Sequence, residues 1–208
     1  QQVHARLGGH HSARILLDSL DFAEIEALQA QDDWDAAGKL LASRAAALEG
    51  AGAELLVLCT NTMHLLADRI TDAVGIPFLH IADVAGSAVA KAGVSTVGLL
   101  GTAFTMERPF YAEKLAEHGI RTIVPDADDR RIVHDVIYDE LVHGVIKDAS
   151  RKRVRQVMEG MVDRGAEAVV LAGTELGLLI EPDDCPVPLH DTTEIHVADA
   201  LDWMLAGS

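Results

Sequence analysis

The apolar positions of this chain alternate between short unbroken runs and longer stretches at helical spacing, the rhythm of a polypeptide whose strands and helices take turns. This pattern predicts strands over residues 12–21, 55–58, 78–81, 94–101, 121–125, 169–171 and 187–190. It predicts helices over 22–29, 32–48, 63–73, 82–92, 106–118, 129–144, 149–164, 176–180 and 193–205. The run at 94–101 is apolar almost throughout, as in a strand covered on both faces. Such alternation implies an α/β fold of parallel sheets flanked by helices.

The pattern also repeats. An offset of 113 residues lays Gly165-Ala166-Glu167 on Gly52-Ala53-Glu54 and Val170-Leu171 on Val57-Leu58. Thr60 then falls opposite Gly173, and Pro77-Phe78-Leu79-His80 is matched to Val187-Pro188-Leu189-His190. Two pseudo-symmetric lobes are therefore expected, each a parallel sheet flanked by helices, with the site in the cleft between them. The first would take 1–93 plus 194–208 and the second 94–193. Residues 1–6 followed by Gly8-Gly9 read as the last turn of a helix with its glycine stop. The second half opens with a full strand, turn and helix, so roughly twenty or more residues of a matching βαβ opening are expected to be missing before Gln1.

Composition narrows the class. With 208 residues, 49% of them hydrophobic, the chain can bury a core. No apolar run has the length of a membrane span and no signal-peptide pattern opens the chain, so a cytoplasmic location is expected. The two cysteines, Cys59 and Cys185, form no disulfide framework, and Cys185 reads as incidental in a polar loop. A net charge of −16 argues against nucleic acid or an anionic membrane as partner and leaves a small molecule. An anionic substrate would have to be held locally, by backbone N–H groups, hydroxyls and helix N-termini.

Thr60, Asn61 and Thr62 stand where the 55–58 strand gives way to a helix. Their hydroxyl, amide and N–H groups either converge on a carboxylate or cap that helix. Thr102 and Thr105 occupy the equivalent turn of the second half, and Thr174 and Glu175 follow strand 169–171, with the same two roles open. Glu175 also suits the first turn of a helix. His64 and His196 are candidates for a supporting shell or for structural hydrogen bonds. His10, His11 and His80 lack the paired spacing of a zinc site, so no metal is expected. Trp34 and Trp203 read as packing residues, and Asp148 or Ser150 as the cap of helix 149–164.

Six segments in order resemble the aspartate/glutamate racemase family: Arg6 to Ala13, Asp21 to Glu26, Cys59-Thr-Asn-Thr-Met-His64, Leu99 to Glu107, Gly173 to Leu179 and Asp191-Thr-Thr-Glu-Ile-His196. The resemblance implies racemisation of an acidic amino acid, aspartate or glutamate, without pyridoxal phosphate or any other cofactor, and a homodimer. Acid/base residues on either side of the substrate Cα would remove a proton and return one on the opposite face. Family members place a thiol on each side, a group whose pKa near 8.5 is readily tuned. This chain resembles the branch with threonine at the first position, Thr60. At the second it departs from the family's Gly-Cys-Thr-Glu and reads Ala172-Gly173-Thr174-Glu175. Gly173 has no side chain to move a proton. The alternative is a non-racemising relative: a carboxylate-binding pseudoenzyme, or a lyase or isomerase of small dicarboxylates.

Overall fold

The computed structural model describes residues 2–206, which cluster into two units. One comprises the chain up to Leu58, Leu66–His80 and the residues from Ala200; the other comprises Cys59–Leu65 and Ile81–Asp199.

In the first unit, α1 (Gln2–Leu7) ends at Gly8, and α2 (Phe22–Ala30) and α3 (Trp34–Gly50) pack against each other, with Ile25 and Leu41 buried. Asp21 and Asp33 start α2 and α3 by accepting the backbone N–H groups of Ala23 and Ala36, which removes an orphan donor from each first turn. A two-stranded parallel sheet follows, β1 (Leu56–Val57) beside β2 (Phe78–Leu79), with a 3-10 turn at Thr62–Leu66 and the short α4 (Ala67–Thr71) between them in sequence.

The expected strand over 12–21 is not there. That segment has no regular secondary structure, and Ile15 and Leu17 are 74% and 81% exposed. Apolar, β-branched content favours an extended backbone, but a strand exists only through ladder bonds to a neighbour. Among the described residues none pairs with this segment. Asp18 nevertheless ties it to α3 through an ion pair with Arg44.

The second unit is built on a four-stranded parallel sheet, ordered β4-β3-β5-β6: β3 (Thr96–Gly101), β4 (Arg121–Ile123), β5 (Ala168–Ala172) and β6 (Leu189–Asp191). Every residue of β3 and β5 is buried, and alternate residues serve opposite faces. Val97, Leu99, Ala168 and Val170 pack with α5 (Ile81–Lys91) and with Tyr111 and Leu115 of α7 (Pro109–Glu117). Leu100, Val169 and Leu171 pack on the other face with α8 (Ala127–Asp139), α9 (Asp148–Asp163) and α10 (Leu176–Leu179). Each valine and leucine among them contributes about 1.5–3 kcal/mol by leaving water. The final helix, α11 (Thr192–Ala206), follows β6 directly.

Local geometry supports the internal repeat and corrects one part of it. Gly52 and Gly165 both have positive φ, +95° and +98°. Each closes a helix by the same bond from the next residue, Ala53 N–H to Leu48 O and Ala166 N–H to Met161 O. The second match slips by one residue. Leu56 N–H bonds Pro77 O and Val169 N–H bonds Pro188 O, both at 2.9 Å, so the two prolines are the equivalent pair.

Five further expectations change. Helix 106–118 is two helices, α6 (Ala103–Glu107) and α7, because Pro109 has no N–H to continue the first and holds Arg108 extended. Helix 129–144 stops at Asp139, after which a 3-10 turn runs to Gly144. The cap position of α9 is Lys147, without a side-chain bond, while the Ser150 hydroxyl donates to Glu140 instead. Trp203 is 41% exposed, and Cys185 packs against the core rather than lying free in its loop. Among the described residues no helix is long and apolar enough to cross a membrane.

Candidate functional site

In parallel α/β sheets, reactive groups gather at the carboxyl ends of the strands. In the second unit Gly101 and Ala172 are paired in register as the last residues of β3 and β5, so Thr102 and Gly173 leave adjacent strands side by side. This close approach needs glycine on one strand: a Cβ placed on Gly101 would lie 2.6 Å from the Ala172 carbonyl oxygen. Thr192 begins α11 at the end of the next strand, and the signature segment Cys59–Leu65 belongs to the same unit.

Three of the threonines bond to one another. Thr62 Oγ1 lies 2.9 Å from Thr102 Oγ1 and 3.3 Å from Thr105 Oγ1, and the Thr102 and Thr105 oxygens are also 3.3 Å apart. All three residues are buried. Thr102 additionally caps α6, accepting the Thr105 N–H at 3.4 Å. The capping role read from the sequence is therefore present at Thr102, alongside contact with the signature segment.

Asn61 enters a second network. Its Oδ1 accepts the Tyr111 hydroxyl at 3.0 Å, and its Nδ2 donates to Thr192 Oγ1 at 3.1 Å. Thr192 Oγ1 lies 2.8 Å from Leu171 O, two residues before Gly173. Burial pushes the Tyr111 phenol far above its ordinary range, with the Thr192 hydroxyl opposing the shift, so Tyr111 serves as a hydrogen-bond donor.

His64 is buried and used on both nitrogens. Nδ1 lies 2.7 Å from the Thr60 carbonyl oxygen, and Nε2 lies 3.1 Å from the Ile81 amide nitrogen. A carbonyl only accepts and an amide N–H only donates, which fixes the ring as the neutral Nδ1–H form. The buried His196 ring stands edge-on to it, with centroids 6.0 Å apart.

Thr60 is half-buried, and among the described residues its hydroxyl makes no hydrogen bond. Cys59 beside it is exposed at the residue level, while local desolvation raises its thiol pKa, so no thiolate is favoured there. Gly173 is buried against apolar side chains. A Cβ there would meet Leu176 Cδ1 at 3.3 Å, Leu176 Cγ at 3.4 Å and Ile137 Cδ1 at 3.6 Å, the ends of flexible groups. Thr174 and Glu175 are half-buried, and their side chains join neither network. Among the described residues no cluster of three or more His, Cys, Asp or Glu could hold a metal ion.

Tyr111 and Thr192 were not singled out in the sequence. Thr192 has a local signal, since it follows a strand as Thr102 follows β3. Tyr111 has none, because it reaches Asn61 from a helix 50 positions later.

A crystal structure from Yersinia pestis, provisionally named an Asp/Glu racemase, is 46% identical and superposes with a TM-score of 0.90, covering 98% of this chain and 89% of that one. An aspartate racemase homologue from Pyrococcus horikoshii is 31% identical with a TM-score of 0.83, covering 100% and 90% respectively. The broad-specificity amino-acid racemase of Bacillus subtilis is 21% identical over 181 residues, covering 84% of this chain and 75% of its own length. The glutamate racemase of Francisella tularensis, at 17% identity and a TM-score of 0.67, covers 84% of this chain and 65% of its own and shares the fold. The family model for Asp/Glu/hydantoin racemases matches residues 1–200, and the chain belongs to that family.

Proposed function

We propose that this protein is a racemase-family isomerase, independent of pyridoxal phosphate and acting on aspartate or glutamate, whose proton exchange is impaired by Gly173. The observation that carries this reading is the placement of Gly173. It leaves β5 beside the Thr102 turn of β3, buried against Leu176 and Ile137, in the position where the family's second thiol is expected. The names of the Yersinia and Pyrococcus relatives support an acidic amino acid as substrate.

Racemisation takes a proton from one face of Cα and delivers one to the other. Thr60 offers a hydroxyl that is unpaired among the described residues, with its backbone carbonyl held by His64. A hydroxyl is a far weaker acid than a thiol and needs help to become a base at neutral pH. Gly173 offers nothing. Binding is then favoured over turnover. The buried threonine cluster and Asn61 supply hydroxyl and amide groups to a carboxylate without a cofactor. We also propose a homodimer, for which sedimentation is the direct measurement.

The same observation favours one alternative, a non-racemising relative that binds a carboxylate or performs one-sided chemistry on a small dicarboxylate. Incubation with each enantiomer of aspartate and glutamate in D2O, followed by NMR of the Cα proton, separates these readings. The expected result is binding with slow exchange, raised by Gly173→Cys. Binding without exchange in both proteins would sink racemisation, and absence of binding would sink the choice of acidic amino acids.

A further inference from the structure

The Tyr111, Asn61, Thr192 and Leu171 chain contains a directional constraint. Leu171 O is a carbonyl and can only accept, so the single Thr192 hydroxyl proton is committed to it at 2.8 Å. Thr192 Oγ1 is then an acceptor towards Asn61, although it lies 3.1 Å from Nδ2 and 3.2 Å from Oδ1. Only the amide orientation with Nδ2 facing Thr192 satisfies both residues. That orientation turns Oδ1 to the Tyr111 hydroxyl at 3.0 Å.

An asparagine amide has two N–H groups, and one of these is spent on Thr192. Among the described residues the other has no acceptor, in a residue that is only 3% exposed. A buried donor left over is costly unless something completes it. It lies one residue after Thr60, the candidate acid/base position, in a network that ends two residues before Gly173.

We propose that Tyr111 and Thr192 are positioning residues. They lock the Asn61 amide so that its second N–H is presented as a donor to a substrate carboxylate oxygen. The inference rests on the amino-acid reading above and extends it to two residues that touch Asn61 rather than substrate. Tyr111 and Thr192 are both 0% exposed, so neither side chain is open to a substrate directly.

The test has two readouts on the full chain. The first needs no ligand. In 15N–1H spectra of the free protein, the Asn61 side-chain amide should show two resolved, slowly exchanging protons. Thr192→Val, which keeps the shape and removes the hydroxyl, should move these signals and speed their exchange about tenfold, the loss of one hydrogen bond. Thr192→Ser should leave them near wild type. The second readout is titration with D- and L-aspartate, in which Thr192→Val should weaken Kd about tenfold and Thr192→Ser should restore it. If Thr192→Val does not fold, Tyr111→Phe provides the same comparison from the other side of the amide.

Unchanged Asn61 signals in the variant would overturn the lock. Altered signals with an unchanged Kd would overturn its role towards substrate. A wild-type protein that binds neither enantiomer would overturn both the acidic amino-acid reading and the substrate role, while the amide spectra would still report whether the lock exists.

Discussion

The Nδ1 of His64 sits 2.7 Å from the carbonyl oxygen of Thr60, four residues earlier, and the ring's other nitrogen receives the Ile81 N–H. The imidazole therefore holds the backbone on which the candidate acid/base hydroxyl stands. Its neutral Nδ1–H form follows from its two partners.

His64→Phe should keep the ring's bulk and leave a buried N–H and carbonyl unpaired, at about 1–3 kcal/mol for each group. A loss of about 3 kcal/mol in urea denaturation is expected. Nitrogen NMR of the native protein should show Nε2 without a proton. A protonated Nε2 at neutral pH would contradict the assignment.

The glycines at two strand ends should respond differently to a methyl group. At Gly101 the new Cβ meets backbone, the Ala172 carbonyl, whereas at Gly173 it meets the flexible tip of Leu176. Overpacking against backbone costs about 1–3 kcal/mol or more, and a yielding side chain reduces that cost. Gly101→Ala should therefore lower Tm clearly more than Gly173→Ala, and Gly173→Cys should fold. Equal losses in a thermal melt would show that the site around position 173 is less yielding than its geometry implies.

Glu167 governs one acid-sensitive part of the fold. Its carboxylate accepts the Ser95 N–H, the Ser95 hydroxyl and the Thr96 N–H, which hold its pKa below the ordinary value, with Arg121 adding to the effect. A carboxylate with a depressed folded pKa stabilises above its unfolded value of about 4.3. That contribution disappears as pH falls through the folded pKa. Glu167→Gln should thus be less stable than wild type at pH 7, and the gap should close as pH drops below about 4. A gap independent of pH would refute the linkage.

His190 should act in a different window. Burial lowers its pKa, and Nε2 has no hydrogen-bond partner among the described residues. The unfolded chain takes up a proton near pH 6.5, where the folded ring resists it, so this residue lowers stability as pH falls below about 6.5, until the folded pKa is passed. His190→Gln should flatten the stability-pH curve between about pH 7.5 and 5.5 in denaturant titrations. An unchanged slope would count against it.

Much of the candidate site was legible because it sits at local transitions in sequence. Thr60, Thr62, Thr102, Thr105 and Gly173 each follow an apolar run, and the repeat in the sequence lays Thr60 on Gly173. The partners were not legible. Which threonines bond, and that Asn61 faces Tyr111 and Thr192 from opposite sides of its amide, depends on residues 50 and 131 positions away in the chain.

Apart from the strand expected over 12–21 and the single helix expected over 106–118, the sequence by itself determined the order of strands and helices, the parallel α/β class and the glycine-stopped helix ends, because periodicity, caps and positive-φ glycines act within a few residues. It also contained the Pro109 break. Tertiary structure alone decided three things. The 12–21 segment has no strand, since extended propensity becomes a strand only with a ladder partner. The repeat aligns Pro77 with Pro188, since register is set by bonds across strands. The His64 ring carries its proton on Nδ1, since the Thr60 carbonyl and the Ile81 amide meet it only in the folded chain.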